Sequence, residues 1–409
     1  MLVINIGFLA FAFVLESPAR ILEGFTQIIL SRSILVSDYI AIGGISAALL
    51  NVSLVGLMSI LMLILSGAKP NGATIMALWL TAGFAFFGKN VFNMLPLTFG
   101  VWLFAKYKKE PFTNYTLTSL LVATLSPVVS EMGFLGIFSF PVEVVIGVFL
   151  GFIIGFIFPP ISAQMVRMHS GYDLYSMGFA GGLIATIIAT VSNSMGFEIV
   201  PASHWSGGNN RILAAMLYVI SAGLVCCGVF AGSFKNNFKG FLKFFDHSGR
   251  LITDFYFLYK NSVFLNMGIL CAFATSLVLI LGAELNGIVV AGILTIAGFG
   301  SFGKHLKNII PVLAGAIISA YLNIWDLASP FNVAAILFST ALAPIAGQFG
   351  WGWGLVAGFL HVNVSMFVGD LNGGLNLYNN GFAAGFVAMF MLPLITISER
   401  FIKNHEDKV

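Results

Sequence analysis

The chain has 409 residues, of which 58% are apolar and 9% charged, with a formal net charge of +3 at pH 7. Soluble domains carry roughly 25% charged residues, so this composition cannot coat a water-soluble globule, and so small a net charge leaves no broad basic surface for nucleic acid. It fits an all-α membrane protein, in which helices of about 20 mostly apolar residues cross the hydrocarbon and the 45 glycines permit close helix packing.

In chain order, residues 1–33 read as an N-terminal membrane segment and loop. Leu2 to Leu15 is apolar but lacks the basic flank and small-residue cleavage site of a signal peptide. Residues 34–197 read as a first repeat, with apolar stretches at 39–66, 72–88, 91–106, 115–130, 141–165 and 177–197. Residues 198–250 hold a connecting transmembrane helix at 212–231 and a cytoplasmic loop. Residues 251–398 read as a second repeat, with stretches at 263–282, 286–302, 308–321, 333–348, 351–369 and 381–398, and residues 399–409 as a cytoplasmic tail. Pro127 and Pro344 interrupt the fourth stretch of each repeat, so it either crosses as a broken helix or re-enters. Cys226, Cys227 and Cys271 lie in apolar stretches without metal-ligand spacing and read as packing residues.

The duplication rests on paired blocks in one order. Ala82-Gly83-Phe84, Phe87-Gly88-Lys89 and Pro96 recur at the same spacing as Ala297-Gly298-Phe299, Phe302-Gly303-Lys304 and Pro311, and Asn71-Gly72 recurs as Asn286-Gly287. Ser37-Asp38 pairs with Thr253-Asp254, and Ala123-Thr124-Leu125-Ser126-Pro127 with the segment from Ser339 to Pro344. Gly171-Tyr-Asp-Leu-Tyr-Ser-Met-Gly-Phe-Ala-Gly-Gly182 pairs with Gly374-Leu-Asn-Leu-Tyr-Asn-Asn-Gly-Phe-Ala-Ala-Gly385. Lysine and arginine set orientation. The clusters Lys106, Lys108, Lys109; Lys235, Lys239, Lys243, Arg250; and Arg400, Lys403, Lys408 are placed in the cytoplasm. If the fourth stretch crosses, the second repeat is inverted relative to the first, with the Lys89 loop outside, the Lys304 loop inside and both chain ends cytoplasmic. If it re-enters, the repeats are parallel; inversion is the favoured arrangement.

Three pairs of polar features are candidates for a substrate path. Lys89 and Lys304 sit between apolar stretches, with Asn93 and Asn308 one turn later on the same face; they either face a polar path or snorkel to the interface. Pro127 and Pro344 break apolar runs, with Glu131 and Gln348 beyond them. In paired repeats such interruptions point to a binding site, though a plain kink gives the same pattern. Asp173 and Tyr175 match Asn376 and Tyr378, in blocks that serve either a path or helix packing. If the repeats are inverted, Pro127 to Glu131 should face Pro344 to Gln348 near the midplane. Glu143, His361 and Asn363 are further polar residues in apolar context, and His361 is best read as an interhelical contact.

No nucleophile elbow, zinc-protease motif, P-loop or dinucleotide fingerprint is present, and no cofactor or metal is called for. The Gly171–Phe179 and Gly374–Phe382 blocks, with Leu342-Ala-Pro-Ile-Ala-Gly-Gln-Phe-Gly-Trp351, resemble those of a bacterial membrane-protein family known mainly as a domain of unknown function, over nearly the whole chain. More loosely, Gly374-Leu-Asn-Leu-Tyr-Asn-Asn-Gly381 is similar to a block of urea transporters, which have two inverted repeats; this similarity implies a small neutral solute. The functions in view are a channel or transporter for a small polar solute, an ion-coupled secondary transporter of an anionic substrate, and a non-transporting membrane scaffold. The partners are the solute and the lipid bilayer of the cell inner membrane, with a homo-oligomer left open.

Overall fold

The computed structural model describes residues 1–406, apart from positions 36, 198, 200–202 and 252, with side chains described to residue 400. Lys403 and Lys408 of the expected basic tail therefore fall outside the described side chains. The described chain is all helical, at 78% helix and without strands. In hydrocarbon each backbone group needs an internal partner, and a helix supplies it within one segment.

The first half contains α1 (Leu2–Leu15), α2 (Pro18–Leu30), α3 (Tyr39–Leu65), α4 (Gly72–Phe84), α5 (Val91–Lys108), α6 (Thr116–Leu121), α7 (Ser126–Gly133), α8 (Phe140–Met168) and α9 (Ser176–Ser194). The second half contains α10 (Asn210–Phe230), α11 (Phe234–Lys243), α12 (Phe255–Tyr259), α13 (Ser262–Ile280), α14 (Gly287–Phe299), α15 (Leu306–Leu322), α16 (Pro330–Phe338), α17 (Ala343–Phe349), α18 (Trp351–Leu371) and α19 (Asn379–Glu406). Among the described residues, 9 helical segments are long and apolar enough to cross a bilayer. The fourth stretches are among them, as Phe112–Gly133 and Pro330–Phe349. Each contains a 3-10 turn, Val122–Leu125 or Ser339–Leu342. Pro127 and Pro344 follow that turn in the first turn of α7 and α17, where a missing N–H costs nothing. Exposed Val14, Ile64, Phe149, Phe230, Ile280 and Phe390 leave apolar surface for lipid.

The segments set apart in sequence at 1–33 and 198–250 occupy similar places. Helix α1 packs along α3, where Ser53 donates to Asn5 O at 2.8 Å, and α10 packs along α13, where Ser221 donates to Gly268 O at 2.7 Å. A short amphipathic helix follows each: α2, bent 117° from α1, and α11.

At the centre α4 and α14 run antiparallel. Gly72, which opens α4, donates its N–H to Asp254 at 2.9 Å and lies against Ser301, just past the end of α14. Gly287, which opens α14, lies against Asp38 and Phe86, just past the end of α4. A carboxylate suits a helix N-terminus because the first N–H groups lack intrahelical acceptors.

The loops gather at two ends of the bundle. One end is tied together by Thr113 donating to Ser66 O, Arg250 to Ser170 O at 2.6 Å, Lys307 to Phe245 O at 2.9 Å and Leu251 N to Gly171 O at 3.1 Å. The other is tied by Leu35 N donating to Gly374 O at 2.9 Å, Ser206 N to Asp38 at 2.9 Å and Gly208 N to Glu284 at 3.1 Å.

Candidate functional site

Lys89 and Lys304 come just after α4 and α14 and just before α5 and α15. Each lies in a short turn held from behind by an asparagine. Asn51 of α3 donates to Ala85 O and Lys89 O at 2.8 and 2.9 Å, and Asn266 of α13 to Gly300 O and Lys304 O at 2.8 and 2.7 Å. All four residues are fully buried.

The turns point each lysine at a tyrosine of the opposite half. Lys89 Nζ donates to the Tyr378 hydroxyl at 2.8 Å, with the Tyr378 ring centroid 5.1 Å away. Lys304 Nζ donates to the Tyr175 hydroxyl and to Thr340 Oγ1, the latter at 2.7 Å, with the Tyr175 ring centroid at 4.4 Å. Neither lysine snorkels; both ammonium groups stay inside, among hydroxyls and ring faces.

The tyrosines stand at the starts of α9 and α19, which meet at Gly178 and Gly381. A Cβ on either glycine would overlap the backbone oxygen of the opposite tyrosine, so close approach here requires glycine. The blocks are stitched to the 3-10 turns of the opposite half: Leu377 N donates to Thr124 O at 2.8 Å and Leu174 N to Ala341 O at 3.0 Å. Thus backbone groups at the proline breaks pair with the other half rather than standing free for a solute. The halves differ at the matched position two residues before each tyrosine. Asn376 accepts from Thr124 Oγ1 at 2.5 Å and donates to Gly178 O at 3.0 Å. Asp173 accepts from Tyr175 N at 2.8 Å through Oδ1, and its buried Oδ2 has no hydrogen-bond partner among the described residues.

Between the halves lies a narrow cavity of about 30 Å³, lined by Met76, Phe84, Tyr175, Met177, Thr295, Phe299, Phe338, Tyr378 and Asn380, among others. Its rings touch: Phe84 and Tyr378 have centroids 4.2 Å apart, Phe84 and Phe338 5.6 Å, and Tyr175 and Phe299 5.0 Å. A vestibule shares Phe338, Leu377 and Asn380 with it and reaches Leu35, Ser203, Trp325 and Asp370 at the Glu284 end of the bundle.

Six of the sequence candidates, Lys89, Asp173, Tyr175, Lys304, Asn376 and Tyr378, are thus drawn to the centre. The other six are not. Asn93 and Asn308 do not share a helix face with the lysines, which precede the helices. Each accepts from the backbone N–H three residues back, Asn90 at 2.9 Å and His305 at 3.0 Å, in a capping box. Glu131 and Gln348 do not face one another near the midplane. Glu131 is buried in an ion pair with Arg32, whereas Gln348 is exposed at the end that holds Ser248. Pro127 and Pro344 are buried helix starts. His361 is an interhelical contact, its Nε2 3.1 Å from Asn380 Oδ1. Glu143 accepts from Ile137 N and Phe138 N, and Asn363 donates to Ser319.

Asn51, Asn266, Thr295 and Phe338 escaped the sequence reading, and Thr124 and Thr340 entered it only inside the paired blocks. Asn51 and Asn266 had a readable signal, since they occupy matched positions within two otherwise apolar stretches. Phe84 and Phe299 were visible only as part of the paired blocks.

No curated protein and no solved structure matches the chain. Residues 17–194 and 233–397 match the family described as "Protein of unknown function (DUF1576)", and the chain belongs to that family.

Proposed function

We propose that the protein is a transporter for a small polar solute, formed by two inverted repeats that share one binding cavity at their interface. The observation that carries this reading is the central cavity, walled by both halves and continuous in its lining with a vestibule at one end. The reciprocal contacts support inversion. Gly83 lies on Ala291 while Gly298 lies on Met76 and Trp79, and Gly178 meets Tyr378 while Gly381 meets Tyr175. A two-fold rotation that exchanges the antiparallel helices α4 and α14 must have its axis perpendicular to them. If they cross the bilayer, that axis lies in the membrane plane and the halves are upside down relative to each other. On this reading each repeat begins with its own long helix and amphipathic helix, so its boundaries move out from 34 and 251 to include α1–α2 and α10–α11.

The charge pattern supplies the orientation. Lys69, Lys106, Lys108, Lys109, Lys235, Lys239, Lys243, Lys260 and Lys307 belong to the end tied by Arg250, whereas Glu16, Glu23, Glu143, Glu284, Asp326 and Asp370 belong to the other. The lysine-rich end is cytoplasmic by the positive-inside pattern, which puts both ends of the chain inside and the vestibule outside. The touching rings across the cavity suit a site that binds and releases in turn better than a water-filled pore. A passive channel for a neutral solute is the second reading, favoured by the mostly apolar lining. A non-transporting scaffold would need no cavity at this interface. No covalent chemistry is assigned. The test is solute flux into proteoliposomes. Saturable uptake above that of empty liposomes supports the transporter, non-saturable flux indifferent to ion gradients supports the channel, and no flux for any solute refutes both.

A further inference from the structure

The cavity's polar groups specify a class of solute, an inference that rests on the cavity being the binding site. Tyr378 accepts a hydrogen bond from Lys89, which leaves its own O–H without an acceptor among the described residues. Tyr175 stands in the same relation to Lys304, with only Thr340 Oγ1 nearby at 3.5 Å. A phenol that accepts from an ammonium becomes a stronger donor, because charge polarises the O–H bond. Asn380 has its Oδ1 engaged by His361, so its amide N–H groups remain to donate. Thr295 Oγ1 is fully buried in the cavity wall and has no hydrogen-bond partner among the described residues. The site therefore offers hydroxyl and amide donors, and its free acceptors are hydroxyl oxygens alone.

The fixed charges agree. Arg32–Glu131 is the only ion pair among the described residues, so neither buried lysine has a carboxylate in contact. Asp173 accepts from the backbone of Tyr175, the tyrosine that Lys304 contacts, but its matched position beside Tyr378 is the uncharged Asn376. Two buried lysines thus have one buried carboxyl group between them. An unpaired charge out of water is costly, and a bound counter-ion relieves that cost. The walls are Phe84, Phe299, Phe338 and Met76, which suit an apolar body and not a hydrated inorganic ion.

We infer that the cavity binds a small organic monoanion, a carboxylate carried on an apolar body. The carboxylate accepts from the two tyrosine hydroxyls and Thr295 and supplies the charge that Lys89 lacks, while the body passes Phe338 into the adjoining vestibule, whose volume is about 330 Å³.

The test uses the purified full chain with phenylacetate and isobutyrate as probes, each beside its uncharged amide, phenylacetamide or isobutyramide, in constant chloride. Binding is followed by calorimetry and thermal shift. The acids should bind about tenfold or more tightly than their amides. Lys89→Met should erase that preference, Tyr378→Phe should weaken the acids more than the amides, and Asp173→Asn should strengthen the acids severalfold. If Lys89→Met does not fold, the other two variants decide. Equal binding of acid and amide, or no binding of either acid at millimolar concentration, overturns the inference. Carboxylate binding without flux in liposomes would retain the anion site and remove transport. Flux of a neutral solute without carboxylate binding would do the reverse.

Discussion

Replacing Asn266 with leucine tests the asparagine that holds the Lys304 turn. The side chain sits in α13, fully buried, and spends both amide hydrogens on Gly300 O and Lys304 O at 2.8 and 2.7 Å. Leucine matches the branching and fits the space, but leaves two buried carbonyls without a donor. Each such bond contributes about 1 kcal/mol net, and an orphaned buried group costs about 1–3 kcal/mol. The Asn266 oxygen has no partner, so its removal offsets part of the loss. The balance is a destabilisation of about 1–3 kcal/mol. Asn266→Asp should be worse, because a carboxylate would face two carbonyl oxygens. The assay is thermal unfolding in detergent with irreversible loss of monodispersity as the readout, Asn51→Leu running beside it as the matched variant. Both leucine variants should melt several degrees below wild type and by similar amounts. Wild-type stability in either would refute the claim that these asparagines hold the lysine turns.

Further outcomes follow from the same geometry. Arg32→Ala should cost about 1–3 kcal/mol of stability, since Glu131 is buried but Arg32 is half exposed, whereas Glu131→Gln should cost less and leave solute flux unchanged, measured as melting temperature and uptake together. Gly381→Ala should lower the melting temperature at a cost of about 1–3 kcal/mol, because its Cβ would meet the backbone oxygen of Tyr175. In a background lacking Cys226, Cys227 and Cys271, single cysteines at the exposed Arg20 and Lys239 should react with an impermeant thiol reagent from opposite sides of the membrane. Labelling from the same side would contradict inversion.

The apolar stretches were legible because a bilayer leaves little choice: long Leu, Ile and Phe runs must be helices. The paired blocks were legible because their residues are specialised. Gly178 and Gly381 tolerate no Cβ, and the lysine turns repeat the same glycine and phenylalanine positions. The similar placement of α1–α2 and α10–α11 was hidden, since amphipathic and lipid-facing helices need only a class of residue at each position. The partner of Glu131 was out of reach because Arg32 lies far off in sequence and meets it only after α7 has packed. Asn93 and Asn308 could have been read locally. Asn90 followed three residues later by Asn93 has the spacing of a capping box, and a helix start there takes Lys89 off the helix face. The fourth stretches misled for a different reason: a proline in a membrane helix leaves a carbonyl that can serve a solute or the protein, and here the opposite half takes it.

The measurement that bears most directly on transport through the shared cavity is solute uptake by proteoliposomes containing wild type or Leu80→Trp. Leu80 lines the cavity from α4 and is not a hydrogen-bond partner of either lysine, so a tryptophan there obstructs the cavity without removing a hydrogen bond of the turns. The account predicts saturable uptake for wild type and its loss in a Leu80→Trp protein that remains monodisperse. Undiminished uptake through the obstructed cavity would contradict it.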